Sequence, residues 1–331
     1  MMNQMNAQAI LELAQNFMEC RILQTAAELN IFTVLAEKPR SAREVAAKIG
    51  GDARATAFLL DAVAAIGLLK KHDRTYLCEN SISHLLSADS PDTILPMVLH
   101  MSHLYSRWSH LPEIVKGGTS TREEFDFSRN GQELRAFIGA MHSIGGPLAR
   151  QIVASVGAEA SRNLLDIGGG SGTYTIAFLR AVPEMRATIF DLPEVIEMAR
   201  ERLKKEGLLD RTTLVLGSFY EDELPQGHDL VLISAIIHSN SLEENLDLYK
   251  KAFRALNSGG RILIRDHVME PDRVQPKDGA VFAVNMLVGT SGGGCYTYEE
   301  IEAGFLQAGF TQMRLLRKGE HMDAVVEAFK P

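Results

Sequence analysis

Leu164-Leu165-Asp166-Ile167-Gly168-Gly169-Gly170-Ser171-Gly172 is the stretch on which the reading of the fold turns. Asn163 to Asp166 reads as the end of a buried strand. The glycines that follow permit a tight turn whose backbone N–H groups can approach a ligand. Thr173 to Ala181 then resumes at helical period. Strand, glycine turn and helix N-terminus together make the ligand crevice at the carboxyl edge of an open α/β sheet. A dinucleotide fingerprint would need glycines at 168, 170 and 173, and position 173 is Thr. Asp166 would also repel a pyrophosphate, and it suits a cationic or hydroxyl-rich ligand better.

About twenty residues further on comes Phe190-Asp191-Leu192-Pro193-Glu194-Val195-Ile196. The pair of motifs resembles the S-adenosylmethionine site of class I methyltransferases. More narrowly, the chain resembles the small-molecule O-methyltransferases, which include plant phenolic enzymes, acetylserotonin methyltransferase and bacterial pigment and antibiotic tailoring enzymes. The resemblance covers essentially the whole chain and is most specific in the C-terminal half. It implies S-adenosylmethionine as cofactor, S-adenosylhomocysteine as product, a small-molecule acceptor and a homodimer.

The chain has 331 residues, which favours two domains over one core. Apolar content of 46% and charged content of 23% are those of a globular protein. A formal charge of −8 gives no electrostatic reason to expect nucleic acid or an anionic membrane. Cys20, Cys78 and Cys295 lie far apart, without CxxC pairs or metal-ligand spacing, as expected in a reducing compartment. Neither a signal peptide nor an apolar run of about eighteen residues is evident. The expectation is a cytoplasmic protein without a metal.

In chain order, residues 7–29 read as amphipathic helix, with Ile10, Leu13, Phe17, Ile22, Leu23 and Leu29 near helical spacing. Ser41 and Glu44 are spaced as a capping box. A second helix follows from about Ala53 to Ile66, and Leu68 to Leu77 has the form of a hairpin. Helix, helix, hairpin is a winged-helix order, so a DNA-binding regulator is the rival class. The second helix offers Arg54 and little else basic, and the phosphate-neutralising charge of a DNA reader is missing. The resemblance makes this region a dimerisation domain instead. Residues 1–90 are therefore read as that domain, 91–160 as a helical connecting and substrate-capping region, and 161–331 as the methyltransferase domain.

From 163 onward strands are expected at 163–167, 187–191, 212–216, 229–235 and 261–266, with helices between them. This is the pattern of a parallel, doubly wound, Rossmann-like α/β sheet. Phe310 to Leu316 and Met322 to Phe329 should add an antiparallel pair, because the link between them is too short for a crossover.

The resemblance also assigns roles. Gly168, Gly170 and Gly172 carry the cofactor turn, together with Asp166. Asp191, with Leu192 beside it, binds the ribose hydroxyls. Ser218 stands where relatives carry an adenine-binding acid, and Phe219 either stacks near adenine or packs in the core. Ser234, near the end of the fourth strand, joins the cofactor set. His238 occupies the position of the general base, and Asp266 that of an acid orienting it. Relatives carry Asp and Trp where Ser239 and Asn240 stand, and a second orienting acid at Cys295, read here as a pocket wall. Met141, Asn285 and Trp108 are acceptor-site candidates. Phe137 and Met141 are also spaced as ordinary core, Trp108 suits plain packing, and Asn285 suits a solvent-facing helix position. Transfer to ring carbon, as in pigment-modifying relatives, stays open beside transfer to oxygen.

Overall fold

Asn16 interrupts the first amphipathic run. Helix α1 (Ala7–Gln15) ends before it and α2 (Phe17–Glu28) begins after it. The computed structural model describes residues 5–90, 92–118 and 131–331, with only the backbone at 131–133, 135–137, 140 and 143–144. The Phe137 side chain thus lies outside the described residues. The chain divides into two compact units, Met1–Ser106 and Arg107–Pro331.

In the first unit α3 (Ile31–Val34) and strand β1 (Arg40–Ser41) lead into α4 (Ala42–Ile49) and α5 (Ala53–Ala65). The capping box at Ser41 and Glu44 is formed, and Asp52 caps α5 by accepting from the Ala55 amide at 2.8 Å. The hairpin of β2 (Lys70–His72) and β3 (Thr75–Leu77) follows, with β1 pairing to β3 as an unexpected third strand. Helices α6 (Asn80–Leu86) and α7 (Leu95–Trp108) come next. Phe32, Leu35, Leu60, Val63 and Tyr76 form the core. Helix α1 buries none of its residues, and Ile10, Leu11 and Leu13 are 56%, 56% and 62% exposed. That apolar stripe has no cover within its own unit.

The second unit opens with α8 (Leu111–Gly117) and α9 (Gly131–Ser155). It then alternates: β4 (Asn163–Ile167), α10 (Thr173–Ala181), β5 (Arg186–Asp191), α11 (Pro193–Lys205), β6 (Thr212–Leu216), β7 (His228–Ser234), α12 (Leu242–Ala255) and β8 (Leu256–Asp266). The short β9 (Val268–Met269), α13 (Lys277–Gly289), β10 (Tyr296–Thr297) and α14 (Tyr298–Ala308) precede the closing pair β11 (Thr311–Arg317) and β12 (Ala324–Phe329). The large sheet has the order β11-β12-β8-β7-β4-β5-β6. Its strands β4 to β8 are parallel, while β12 runs antiparallel to both β8 and β11, as the short link requires.

Along β7 and β8 successive residues alternate between two cores. Leu230, Leu232 and Leu263 join the layer under α9, α10 and α11, whereas Val231, Ile233, Ile262 and Ile264 join the layer under α12 and α14. The chain leaves β4 toward β5 on one side and β7 lies on the other, so the strand order reverses at β4. A crevice at the carboxyl ends of β4, β5 and β7 is where such a sheet binds its ligand. No helix among the described residues is long and apolar enough to cross a membrane.

Candidate active site

The glycine turn after β4 is shaped by close contacts. Gly168, Gly170 and Gly172 all have positive φ (64°, 58° and 79°), which an L side chain adopts only with strain. A Cβ at Gly168 would also lie 2.6 Å from Ile236 Cδ1. Asp191, at the end of β5, receives the Gly170 amide at 2.8 Å and the Leu192 amide at 2.7 Å. Burial pushes the Asp191 carboxyl up, against these two donors. Each carboxylate oxygen keeps a further lone pair for a hydroxyl donor. Leu192 stands beside it at the rim, 41% exposed.

Asp166 is placed differently from its sequence reading. It is 1% exposed, beneath the turn, and accepts from Thr175 Oγ1 at 2.6 Å. Burial pushes its carboxyl up to about 7; the Thr175 hydrogen bond opposes this, and the charge of Asp191 adds to it. Asp166 therefore supports the turn from below instead of offering an open carboxylate to a ligand.

After β6, the Ser218 amide donates to Asp222 Oδ2 at 2.8 Å. Asp222 thus brings a carboxylate to the position where the resemblance had implied an acid, which sequence position alone did not reveal. Phe219 lies against the turn, with Cε1 3.8 Å from where a Gly168 Cβ would be. From above, Ile138 of α9 brings Cδ1 to 4.0 Å of the corresponding point at Gly170. Met141, one turn further along α9, is 39% exposed. His142 is satisfied by Thr173 Oγ1 at 2.8 Å.

Beyond β7 the backbone bends sharply. Ala235 adopts φ 58°, a left-handed conformation that costs a residue with a Cβ about 1–2 kcal/mol. The bend leads into the 3-10 turn Ile237–Ser239, which carries His238. His238 is nearly buried, with Nδ1 2.9 Å from both Oδ1 and Oδ2 of Asp266. Burial alone would raise the Asp266 carboxyl; the facing His238 and the His267 amide outweigh it and hold the group below its ordinary value. An ionised carboxylate can only accept, so Nδ1 is the donor of this pair, and in the neutral ring that tautomer puts the acceptor lone pair on Nε2.

The rest of the turn is clamped from behind. Asn245 Nδ2 donates to the Ile237 carbonyl at 2.9 Å, and Tyr296 donates to the Asn240 carbonyl. Asn240, fully buried, also accepts from the Tyr220 hydroxyl at 2.6 Å. The run Gly292-Gly293-Gly294 passes directly over His238. The Gly294 amide donates to the His238 carbonyl at 2.9 Å, and a Cβ at Gly293 would collide with that same oxygen. Cys295 is buried, its thiol pushed up to about 12 by burial first and the charge of Asp266 second, so it is no nucleophile.

Helix α13 forms the facing wall. Phe282 meets the His238 ring edge-on at 4.9 Å and the His267 ring at 5.1 Å. Asn285 lies one turn further along the same face. Its Oδ1 accepts from Trp108 Nε1 at 2.9 Å. Indole N–H is only a donor, so the Asn285 amide is fixed with its NH2 group free to donate elsewhere. Two candidates singled out separately in the sequence are thus a hydrogen-bonded pair. Phe282 was not among the expected residues, although its spacing of three from Asn285 was the available signal. Among the described residues, no three His, Cys, Asp or Glu side chains gather as a metal site.

Two family models match: an O-methyltransferase domain over residues 111–311 and an O-methyltransferase dimerisation domain over residues 11–85. The chain is 32% identical to the 3-hydroxy-5-methyl-1-naphthoate 3-O-methyltransferase of Streptomyces sahachiroi, over 92% of this chain and 90% of that one. To the acetylserotonin O-methyltransferase of Gallus gallus it is 27% identical, over 96% of each. The structure of PigF with S-adenosylhomocysteine superposes with a TM-score of 0.90 at 25% identity, covering 98% of this chain and 100% of that one. The fold of human N-acetylserotonin methyltransferase, solved in complex with S-adenosylmethionine, is shared at a TM-score of 0.84 and 24% identity, over 100% and 99% of the two chains. With this doubly wound sheet and both domains matched, the chain belongs to the O-methyltransferase family and is an S-adenosylmethionine-dependent enzyme.

Proposed function

We propose that the chain methylates a hydroxyl of a small aromatic molecule, with His238 as the general base. The observation that carries this reading is the His238–Asp266 pair beside Phe282 of α13, which selects for the neutral ring the tautomer whose lone pair is on Nε2. A phenol of pKa about 10 is a weak nucleophile at neutral pH, and a positioned imidazole removes its proton during attack. When bound, S-adenosylmethionine supplies an electrophilic methyl on a sulfonium, a good leaving group. The protein's part is to align two reactants and take one proton.

In this reading the backbone of Gly168, Gly170 and Gly172 lines the cofactor, its amides being held by Phe190, Asp191 and Gly169, and Asp166 braces the turn. Asp191 accepts the ribose hydroxyls, and Leu192, Ser218 and Phe219 flank the adenosine. Ser234 faces the amino-acid tail. Met141, Trp108, Asn285 and Cys295 wall the acceptor pocket, with the Asn285 NH2 donating to an oxygen of the acceptor. Asp266 keeps His238 in the tautomer that can act as a base.

The test is a panel of phenols and quinols, with S-adenosylhomocysteine release as the readout and NMR of the product. An O-methyl signal is expected. A methyl on ring carbon would move the reaction to the pigment-modifying alternative, and retention on DNA without turnover would favour a regulator.

The matched dimerisation domain and the uncovered α1 stripe support a homodimer held by residues 1–90. Light scattering at micromolar concentration should give the mass of two chains. A monomer would contradict this reading.

A further inference from the structure

At the end of β8 the sheet sends neighbouring side chains to opposite faces. Asp266 follows Ile262 and Ile264 toward the α12 and α14 layer; Arg265 follows Leu263 toward the layer under α9 and α10. The Arg265 guanidinium is half-buried there, 5.5 Å over the Tyr174 ring. Its Nη1 reaches Ser234 Oγ at 3.4 Å, a long contact, and its buried Nε has no partner. The buried Tyr174 hydroxyl has the Ser234 hydroxyl as its nearest partner, without a well-formed hydrogen bond.

No carboxylate among the described residues pairs with Arg265, and the nearby acids are committed. Asp266 is held by His238 at 2.9 Å, Asp323 by Arg317 at 2.7 Å, and Asp166 by Thr175 at 2.6 Å. Withdrawing a guanidinium from water without a counter-charge is costly, and the cost is recovered when an anion with matching geometry arrives. The cluster borders the cofactor crevice on both sides. Tyr174 is the second residue of α10, directly after the glycine turn, and Ser234 ends β7 beside β4.

We propose that Arg265, assisted by the hydroxyls of Tyr174 and Ser234, receives the carboxylate of the cofactor's amino-acid tail. The planar guanidinium offers two parallel N–H donors, which fit a carboxylate and neither a ribose nor an adenine. The two hydroxyls supply donors around it. The task left to Asp191 at the opposite end of the crevice is the ribose alone. This proposal rests on S-adenosylmethionine being the cofactor, and its test separates the two ideas by the ligand used.

The experiment is calorimetric binding to the full chain of S-adenosylhomocysteine and of its decarboxylated analogue, which keeps the thioether and the amine. Wild type should prefer S-adenosylhomocysteine. Arg265→Gln should weaken S-adenosylhomocysteine about 10- to 100-fold, the loss expected for a charged hydrogen-bonded pair, and leave the analogue unchanged. Unchanged analogue binding also reports that the variant is folded. Arg265→Lys, which keeps the charge but not the fork, should fall between the two. Equal weakening of both ligands, or of neither, would overturn the assignment. Failure of wild type to bind either ligand would overturn the cofactor reading itself.

Discussion

Replacing His238 by alanine lowers turnover about 10²- to 10⁴-fold, the usual contribution of a positioned proton acceptor. The affinity for S-adenosylmethionine hardly changes. Its side chain is engaged with Asp266 and Phe282, and not with the glycine turn proposed to hold the cofactor. The loss should appear in kcat more than in KM, because proton removal is needed only as the oxygen attacks. Asp266→Asn is the informative companion. An amide in that buried site can still accept from Nδ1, but it can also donate to it, and the second arrangement places the proton on Nε2 and removes the base. It lacks the charge that steadies the protonated ring. Rates should therefore fall, by less than in His238→Ala if the first arrangement is kept. Steady-state kinetics on both variants, with cofactor binding by calorimetry, measures all of this.

Asp191→Ala weakens S-adenosylmethionine binding by about 1–3 kcal/mol, or roughly 5- to 150-fold. Two effects combine. The ribose hydroxyls lose a charged acceptor, and the Gly170 and Leu192 amides lose the oxygens that hold the turn, now donated to at 2.8 and 2.7 Å. The second effect distinguishes Asp191→Asn, which keeps one acceptor and should show the smaller loss. Unchanged affinity for Asp191→Ala would remove this residue from the cofactor site.

The backbone frame was readable because its signals are local. Leu230 to Ile233 is a continuous apolar stretch and Leu164-Leu165-Asp166-Ile167 is broken only by Asp166, as suits strands covered on both faces, and the structure pairs them in register at the sheet's centre. Ser41 with Glu44 predicted a cap, and the cap is there. The last two strands were expected to be antiparallel from a five-residue link, and they are. Expected strand ends moved by a residue or so, and β8 begins five residues earlier than read, since Leu256 to Gly260 carries no strand-like alternation.

The parts that were not legible depend on distant residues meeting. Trp108 and Asn285 are 177 positions apart, and no pattern in either neighbourhood announces their hydrogen bond. The reason for Gly293 is the His238 carbonyl against it, visible only once the turn is placed. Asp166, directly before the glycines, was read as suiting a cationic or hydroxyl-rich ligand. Its carboxylate instead points to Thr175, nine residues on in the next helix. Arg265 drew no attention in the sequence, since a lone arginine ending a strand is ordinary until its lack of an acidic partner is seen.

The central claim is that His238 takes a proton from a hydroxyl of the acceptor. A series of phenols of graded pKa, run with wild type and His238→Ala, tests it most directly. An oxygen that is already ionised needs no base, so the penalty of the substitution should shrink steadily as acceptor pKa falls. A penalty that stays the same across the series would contradict the claim and make His238 a positioning residue only.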